Sequence, residues 1–322
     1  MSVIVDHIKQ SGLSISQLSF DAQISEPRLQ DLMDGAEPSL GELRQLASAM
    51  KISVSDFSPI SSVPSPVLRL FQQSMGQIKT SQRPAVELIS QRIQSVLELL
   101  PSTEIPNWSK AFASRHETDF DAQQDAETFR HLFLSGDLTS PMLHLPLIAV
   151  EEMGVILLLI GQQRFDGASV VIDGIPFVVV SPRFPSKILY TLAHEIGHLV
   201  AHHQLGTDFA FFDAENATGR LQPKRNPTER YADAFASCLL LPTAGIGPAL
   251  AKIREQHHLH EDQIGDIEIL YLAQIFGVSF QVAAKRCEDL DLLPSGRDFL
   301  RVVNFSFFLS NRRSSTVFLH QA

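Results

Sequence analysis

With 322 residues of which 44% are hydrophobic, the chain can bury sizeable cores and is expected to be globular and soluble, with two or three domains. Its formal net charge of −10 excludes a broadly basic surface, so phosphate contacts would have to come from a local patch. Cys238 and Cys287 form no CxxC pair, MSVIVDHIKQ lacks the basic start and apolar core of a secretory signal, and the longest apolar run, Val155 to Ile160, falls far short of the roughly 20 residues of a spanning helix; a disulfide framework and a membrane segment are excluded, and a cytoplasmic setting is expected.

Helical patterns run over Val3 to Gln10, Ser16 to Ala22, Glu26 to Met33, Leu40 to Met50 and a short Val54 to Phe57, with Ser14 and Ser25 as N-caps and Pro27 near a first helical position. Residues 1–57 thus form an all-α domain whose spacing resembles the Xre/Cro-type helix-turn-helix. The resemblance implies that the helix at Glu26 to Met33 enters the major groove and that Arg28 and Gln30 contact DNA. The charge opposes this: over residues 1–60, four basic side chains (Lys9, Arg28, Arg44, Lys51) face eight acidic ones (Asp6, Asp21, Glu26, Asp31, Asp34, Glu37, Glu42, Asp56). Docking to a protein is the equal alternative.

Residues 58–66, SPISSVPSP, read as a semi-rigid linker. Residues 67–120 follow as a helical connecting region, with one or two helices over Val67 to Leu100 and Trp108 as a packed anchor. A helix over Asp121 to Ser135 and another over Leu147 to Glu152 lead into three short strands, VILLLI, ASVVID and IPFVVV, with IDGIPF as a tight hairpin. These are expected to form a small antiparallel sheet. An extended peptide could be held along its edge by backbone hydrogen bonds.

The most informative stretch is KILYTLAHEIGHLVAHH, Lys187 to His203. Ile188, Leu189, Leu192, Ile196, Leu199 and Val200 recur at helical spacing, so HExxH, at His194, Glu195 and His198, lies on an amphipathic helix. One helical turn separates the two imidazoles, which can together hold one zinc ion at about 2.0–2.1 Å. Glu195 faces the same cleft off the metal, where a carboxylate can act as base on a zinc-activated water. The metzincin pattern fails, because Ala201 and Gln204 stand where Gly and a third His are required. Glu229 is the better third ligand. It opens a second amphipathic helix, ERYADAFASCLLLP, with Asp233 one turn later, placed to accept the free N–H of a ligating His. Should Glu229 not serve, Asp233, Asp208 and Asp213 are next in line.

HExxH, the later ExxxD, and the run LAQIFGVSFQVAAKRCEDLDLL together resemble the ImmA/IrrE family of metallo-endopeptidases over roughly residues 120–295. The resemblance implies an α+β, zincin-like fold of the gluzincin type, with the peptidase domain at residues 121–295. It implies one zinc ion on His194, His198 and Glu229, with Glu195 as catalytic base. It further implies a protein substrate such as a transcriptional repressor. The alternative is a non-catalytic DNA- or protein-binding regulator that uses the fold as a sensor.

Residues 203–228 between the ligand helices are expected to form a solvated loop or a lid, with Arg220, Lys224, Arg225 and Arg230 available to an acidic substrate segment. His202 and His203 are expected outside the ligand set, and His257, His258 and His260 in a loop. Helices follow over Ala244 to Glu255, Ile264 to Phe276 and Ser279 to Asp289, the last pair packing structurally. Residues 296–322 read as a strand-like tail, a docking or homodimer surface if its face stays exposed.

Overall fold

The computed structural model describes residues 5–293 except 6, 9–10, 37, 51, 53–64, 77, 101–106, 113–117, 162–163, 203–207, 215–225 and 260–263. The tail at 296–322, the linker at 58–64, the short helix at Val54 to Phe57 and most of that at Val3 to Gln10 lie outside the described residues. The chain divides into two compact units, Met1–Ser65 and Pro66–Ala322.

In the first unit, α1 (Ile15–Ala22), α2 (Glu26–Met33) and α3 (Leu40–Met50) close around Leu18, Leu29, Leu32 and Leu46. Ser14 caps α1, its Oγ accepting from the Gln17 amide at 3.2 Å. Ser25 takes the N-cap position of α2, but its side chain makes no cap hydrogen bond. Arg28 donates through Nε and Nη2 to both oxygens of Glu42, at 2.7 and 3.2 Å. That pairing, with the amide and hydroxyl of Ser39, draws the Glu42 carboxyl down to about 2. Gln30 donates to Asp34 at 3.4 Å. Both side chains expected on DNA are therefore engaged within the unit.

The second unit is built on a mixed sheet of β1 (Ile156–Leu159), β2 (Phe165–Ile172), β3 (Ile175–Val180) and β4 (Phe209–Ala214), in the order β1-β3-β2-β4. Asp173 and Gly174, at φ 51° and 76°, supply the two left-handed residues that a tight β2–β3 hairpin requires. The expectation of an antiparallel sheet needs correction, because β1 runs parallel to β3. The short connection after β1 reverses the chain into β2, and the hairpin reverses it again and inserts β3 between them, so β1 and β3 run the same way. A second correction concerns the segment between the ligand helices, which contributes β4, paired antiparallel to β2, rather than loop alone.

Alternation along β2 gives the sheet two covered faces. Ala168, Val170 and Ile172, with Phe177, Val179 and Ala210, pack beneath α4 (Pro66–Met75) and α5 (Arg83–Leu97). Gly167, Ser169 and Val171 point the other way, toward α8 (Pro185–His202), the HExxH helix. Behind α8 stand α6 (Asp119–Phe133) and α9 (Pro227–Leu240), with α7 (Leu145–Glu151) alongside. Gly197 allows α8 and α9 to cross closely, since a Cβ there would lie 3.1 Å from the Ala232 Cα. Tyr231 donates to Asp125 at 2.7 Å in the α6–α9 contact.

The far end of α9 is gripped by two guanidinium groups. Arg130, wholly buried, donates to the carbonyls of Leu239, Asp137 and Ser140, and Arg286 donates to Leu241 O at 3.1 Å. Then come α10 (Thr243–His257), α11 (Asp266–Phe276) and α12 (Phe280–Asp289), the last two packed together. Trp108 is anchored by its indole N–H, which donates to Met153 O at 2.9 Å. Among the described residues, no single helix is long and apolar enough to cross a membrane.

Candidate metal centre

Pro185 pre-sets the first turn of α8, and the apolar residues at helical spacing bury its length between the sheet and α9. His194, Glu195 and His198 are all fully buried as a result. The two imidazoles present their Nε2 atoms to each other at 3.2 Å, with the rings at 80°. A heptad-like stripe alone would leave them against the core. Here they are met by acidic side chains from two other elements.

From α9, Glu229 brings Oε2 to 3.4 Å from His194 Nε2 and Oε1 to 3.6 Å from His198 Nε2. Asn226 caps this helix and Pro227 opens it, so Glu229 falls in the first turn, where the peptide dipoles favour a carboxylate. Asp233, one turn on, brings Oδ1 to 3.0 Å from His194 Nδ1. Its partner Tyr190 donates to the same residue, 3.3 Å from the carbonyl and 3.4 Å from Oδ1. The Asp233 carboxylate thus lies beside Nδ1 while Nε2 of the same ring is turned toward the cluster.

From β4 comes Asp213, whose Oδ2 lies 3.0 Å from His194 Nε2. Phe211, two residues earlier on the same strand face, stacks on the His198 ring at 4.4 Å and 9°. His194, His198, Asp213 and Glu229 each offer an atom, and all four atoms lie within 4.8 Å of one another. Two imidazoles and two carboxylates are a donor set suited to a divalent transition metal. Burial disfavours a charged His194, yet Asp213, Glu229 and Glu195 overcome this and hold its pKa well above the ordinary value. The cluster favours positive charge at its centre, as a metal-binding set would.

Glu195 occupies a slot of its own. Its carboxyl is wholly buried, and burial, joined by the charges of Asp213 and Glu229, pushes its pKa well above the usual carboxylate range, against the pull of His194 and Ser169. The slot exists because residue 167 lacks a side chain: a Cβ there would come within 2.3 Å of Glu195 Oε1 and 2.7 Å of Thr191 Cγ2.

His194, Glu195, His198, Glu229 and Asp233 therefore converge, whereas other candidates do not. Asp208 accepts from the Asp173 amide at 3.0 Å, at the β2–β3 hairpin. His257 stacks on Tyr271, and His258 ends α10 in the left-handed region. Arg230 pairs with Asp119 at 3.3 Å on the surface. His203, Arg220, Lys224, Arg225 and His260 lie outside the described residues, as does the side chain of His202. Gly167, Ser169 and Phe211 were not singled out from the sequence. The signal for β4 was the aromatic run FAFFDA, obscured because Phe209 and Phe211 share the face of Asp213 while Phe212 lies on the other, so polar and apolar residues do not alternate.

Asp233→Ala is expected to weaken metal affinity about 10- to 100-fold by releasing the His194 ring, as chelator competition would measure. Affinity equal to that of the unsubstituted chain would contradict this role.

No curated protein matches the chain. Residues 151–288, the span from the end of α7 through α12 that contains all of these side chains, match the IrrE N-terminal-like domain of the Peptidase M78 family, so that this part of the chain carries a metallopeptidase-family domain.

Proposed function

We propose that the chain is a zinc-dependent endopeptidase that cleaves a regulatory protein, a transcriptional repressor by the resemblance of its sequence. The observation that carries this reading is the meeting of two imidazoles from α8 with Glu229 from α9, beside a buried Glu195 carboxyl. His194, His198 and Glu229 would hold one zinc ion. When bound, that ion supplies a Lewis acid and lowers the pKa of water near it.

The remaining work falls to side chains. Glu195 takes a proton from the attacking water and delivers it to the leaving amine nitrogen. Asp233, braced by Tyr190, keeps His194 in the tautomer that leaves Nε2 free to ligate. The Phe211 ring fixes the plane of His198. At the edge of the sheet among the described residues, β4 offers an extended peptide the backbone beyond Ala210, whose amide donates to Ser74 Oγ.

Gly167→Ala tests the placement of Glu195 without touching the metal donors. The added methyl must displace the carboxyl, so we expect unchanged metal content and peptidase activity lowered about 100-fold. Activity at the level of the unsubstituted chain would show that the slot does not position the base.

The N-terminal unit serves as a docking module. The Arg28–Glu42 pair favours a protein over DNA as its partner, since a phosphate would have to compete with a carboxylate already bonded through two nitrogens. A gel shift across salt concentrations with cognate promoter DNA decides this, and a shift that weakens steeply with salt would restore the DNA reading. For the peptidase itself, the test is co-expression with candidate transcriptional repressors from the same genome and a size assay with and without chelator. Chelator-sensitive fragments are expected; an intact repressor in both arms would favour a non-catalytic regulator.

A further inference from the structure

Asp213 is a surplus donor for a hydrolytic centre. A zinc site that performs catalysis uses three protein ligands and keeps a fourth position open, whereas four protein ligands close it. Four donors held about 2.0–2.1 Å from one ion at tetrahedral angles would lie about 3.3 Å from one another. The distances here are 3.0 Å (His194–Asp213), 3.2 Å (His194–His198), 3.4 Å (His194–Glu229) and 3.6 Å (His198–Glu229). These four spacings, the two to Glu229 taken through its separate oxygens, bracket that value, and all four donor atoms lie within 4.8 Å of one another. Asp213 is 4% exposed and turned inward, so it is not a surface carboxylate that happens to lie near.

Resting on the metallopeptidase reading above, we propose that Asp213 is the fourth protein ligand, and that it closes the metal centre in the state described here. Glu195 and both histidines are buried in this state, while the Glu229 side chain, 27% exposed, reaches the edge of the centre.

The position of Asp213 in the fold suits a ligand that can be withdrawn. It sits one residue before the end of β4, which among the described residues is an edge strand paired with β2 alone. The β2–β4 register shifts between Phe165 and Gly167, and Gly167 is the residue opposite Asp213, so the ladder is irregular at that point. Releasing the end of an edge strand disturbs fewer ladder bonds than moving either ligand helix, whose flanks are packed on several sides. Withdrawal of Asp213 leaves His194, His198 and Glu229 as a three-ligand set with an open position, next to Glu195. Cleavage therefore requires β4 to yield at this end.

The test uses the full chain loaded with cobalt(II), whose visible spectrum reports coordination, and acetohydroxamate as a probe for an open position. The unsubstituted chain should show an intense four-coordinate band that the hydroxamate leaves unchanged. Asp213→Ala and Asp213→Asn should shift their bands on adding hydroxamate, and should bind cobalt at least about 10- to 100-fold more weakly, the loss expected even for an outer-shell partner. Should either variant fail to fold, the response of the unsubstituted chain decides. A band that hydroxamate shifts there as readily as in the variants, at equal cobalt content, overturns Asp213 as the closing ligand while leaving the three-ligand centre standing. A chain that takes up no cobalt overturns both.

Discussion

Glu195→Gln is expected to retain its metal and to lose about 10²- to 10⁴-fold in cleavage rate, the range over which a positioned general base acts. The amide is nearly isosteric with the acid, so the slot opened by Gly167 and lined by Thr191 still accepts it. It cannot take a proton from water at neutral pH. Glu195 is not among the four residues whose atoms could hold a metal ion, so metal content should be unchanged. Single-turnover cleavage alongside metal analysis separates the two properties. Turnover matching that of the unsubstituted chain would eliminate Glu195 as the base, and lost metal would place it among the ligands.

The second large effect concerns stability. Arg130→Ala is expected to destabilise the second unit by about 3–5 kcal/mol. The side chain is wholly buried, and its guanidinium donates Nε and Nη2 to Leu239 O at 3.0 and 2.7 Å and Nη1 to the carbonyls of Asp137 and Ser140 at 3.1 and 3.0 Å. Burial lowers its pKa to about 10 against the support of Asp137, still well above neutrality. Truncation removes charge-assisted bonds from three carbonyls and leaves a void where a large side chain stood. Because those carbonyls join the α6–α7 loop to the end of the helix that carries Glu229, the loss should also loosen the metal donors. Denaturant unfolding followed by a probe in the second unit would measure the shift. Arg130→Lys should recover little, since an ammonium cannot reproduce the fork. A midpoint unchanged in Arg130→Ala would contradict the account.

Much of the centre was legible in the sequence because local periodicity carries it. HExxH at one-turn spacing on an apolar stripe places His194 and His198 on one face of α8. The capped start at Asn226 and Pro227 puts Glu229 and Asp233 on one face of α9. Both are short-range facts, written within a single helix. Asp213 was legible only as one of three reserve carboxylates, because its place depends on which strand β4 joins and in what register. Pairing between residues 165–171 and 209–214 is a non-local choice. The mixed direction of the sheet was hidden for the same reason: strand pattern gives alternation, and it does not say that β3 inserts between β1 and β2. Gly167 illustrates a third kind of silence, since a glycine in a strand pattern signals close approach without naming the neighbour. Its neighbour proved to be the carboxyl of Glu195.

In the proposed peptidase, two imidazoles on one helix and a carboxylate on the next hold a single metal ion. Anomalous diffraction at the zinc edge from crystals of the full chain tests it most directly. The account predicts one peak per chain, within bonding distance of His194 Nε2, His198 Nε2 and the Glu229 carboxylate. A zinc-replete crystal with no peak there, or with its peak at the histidines that end α10, would contradict it.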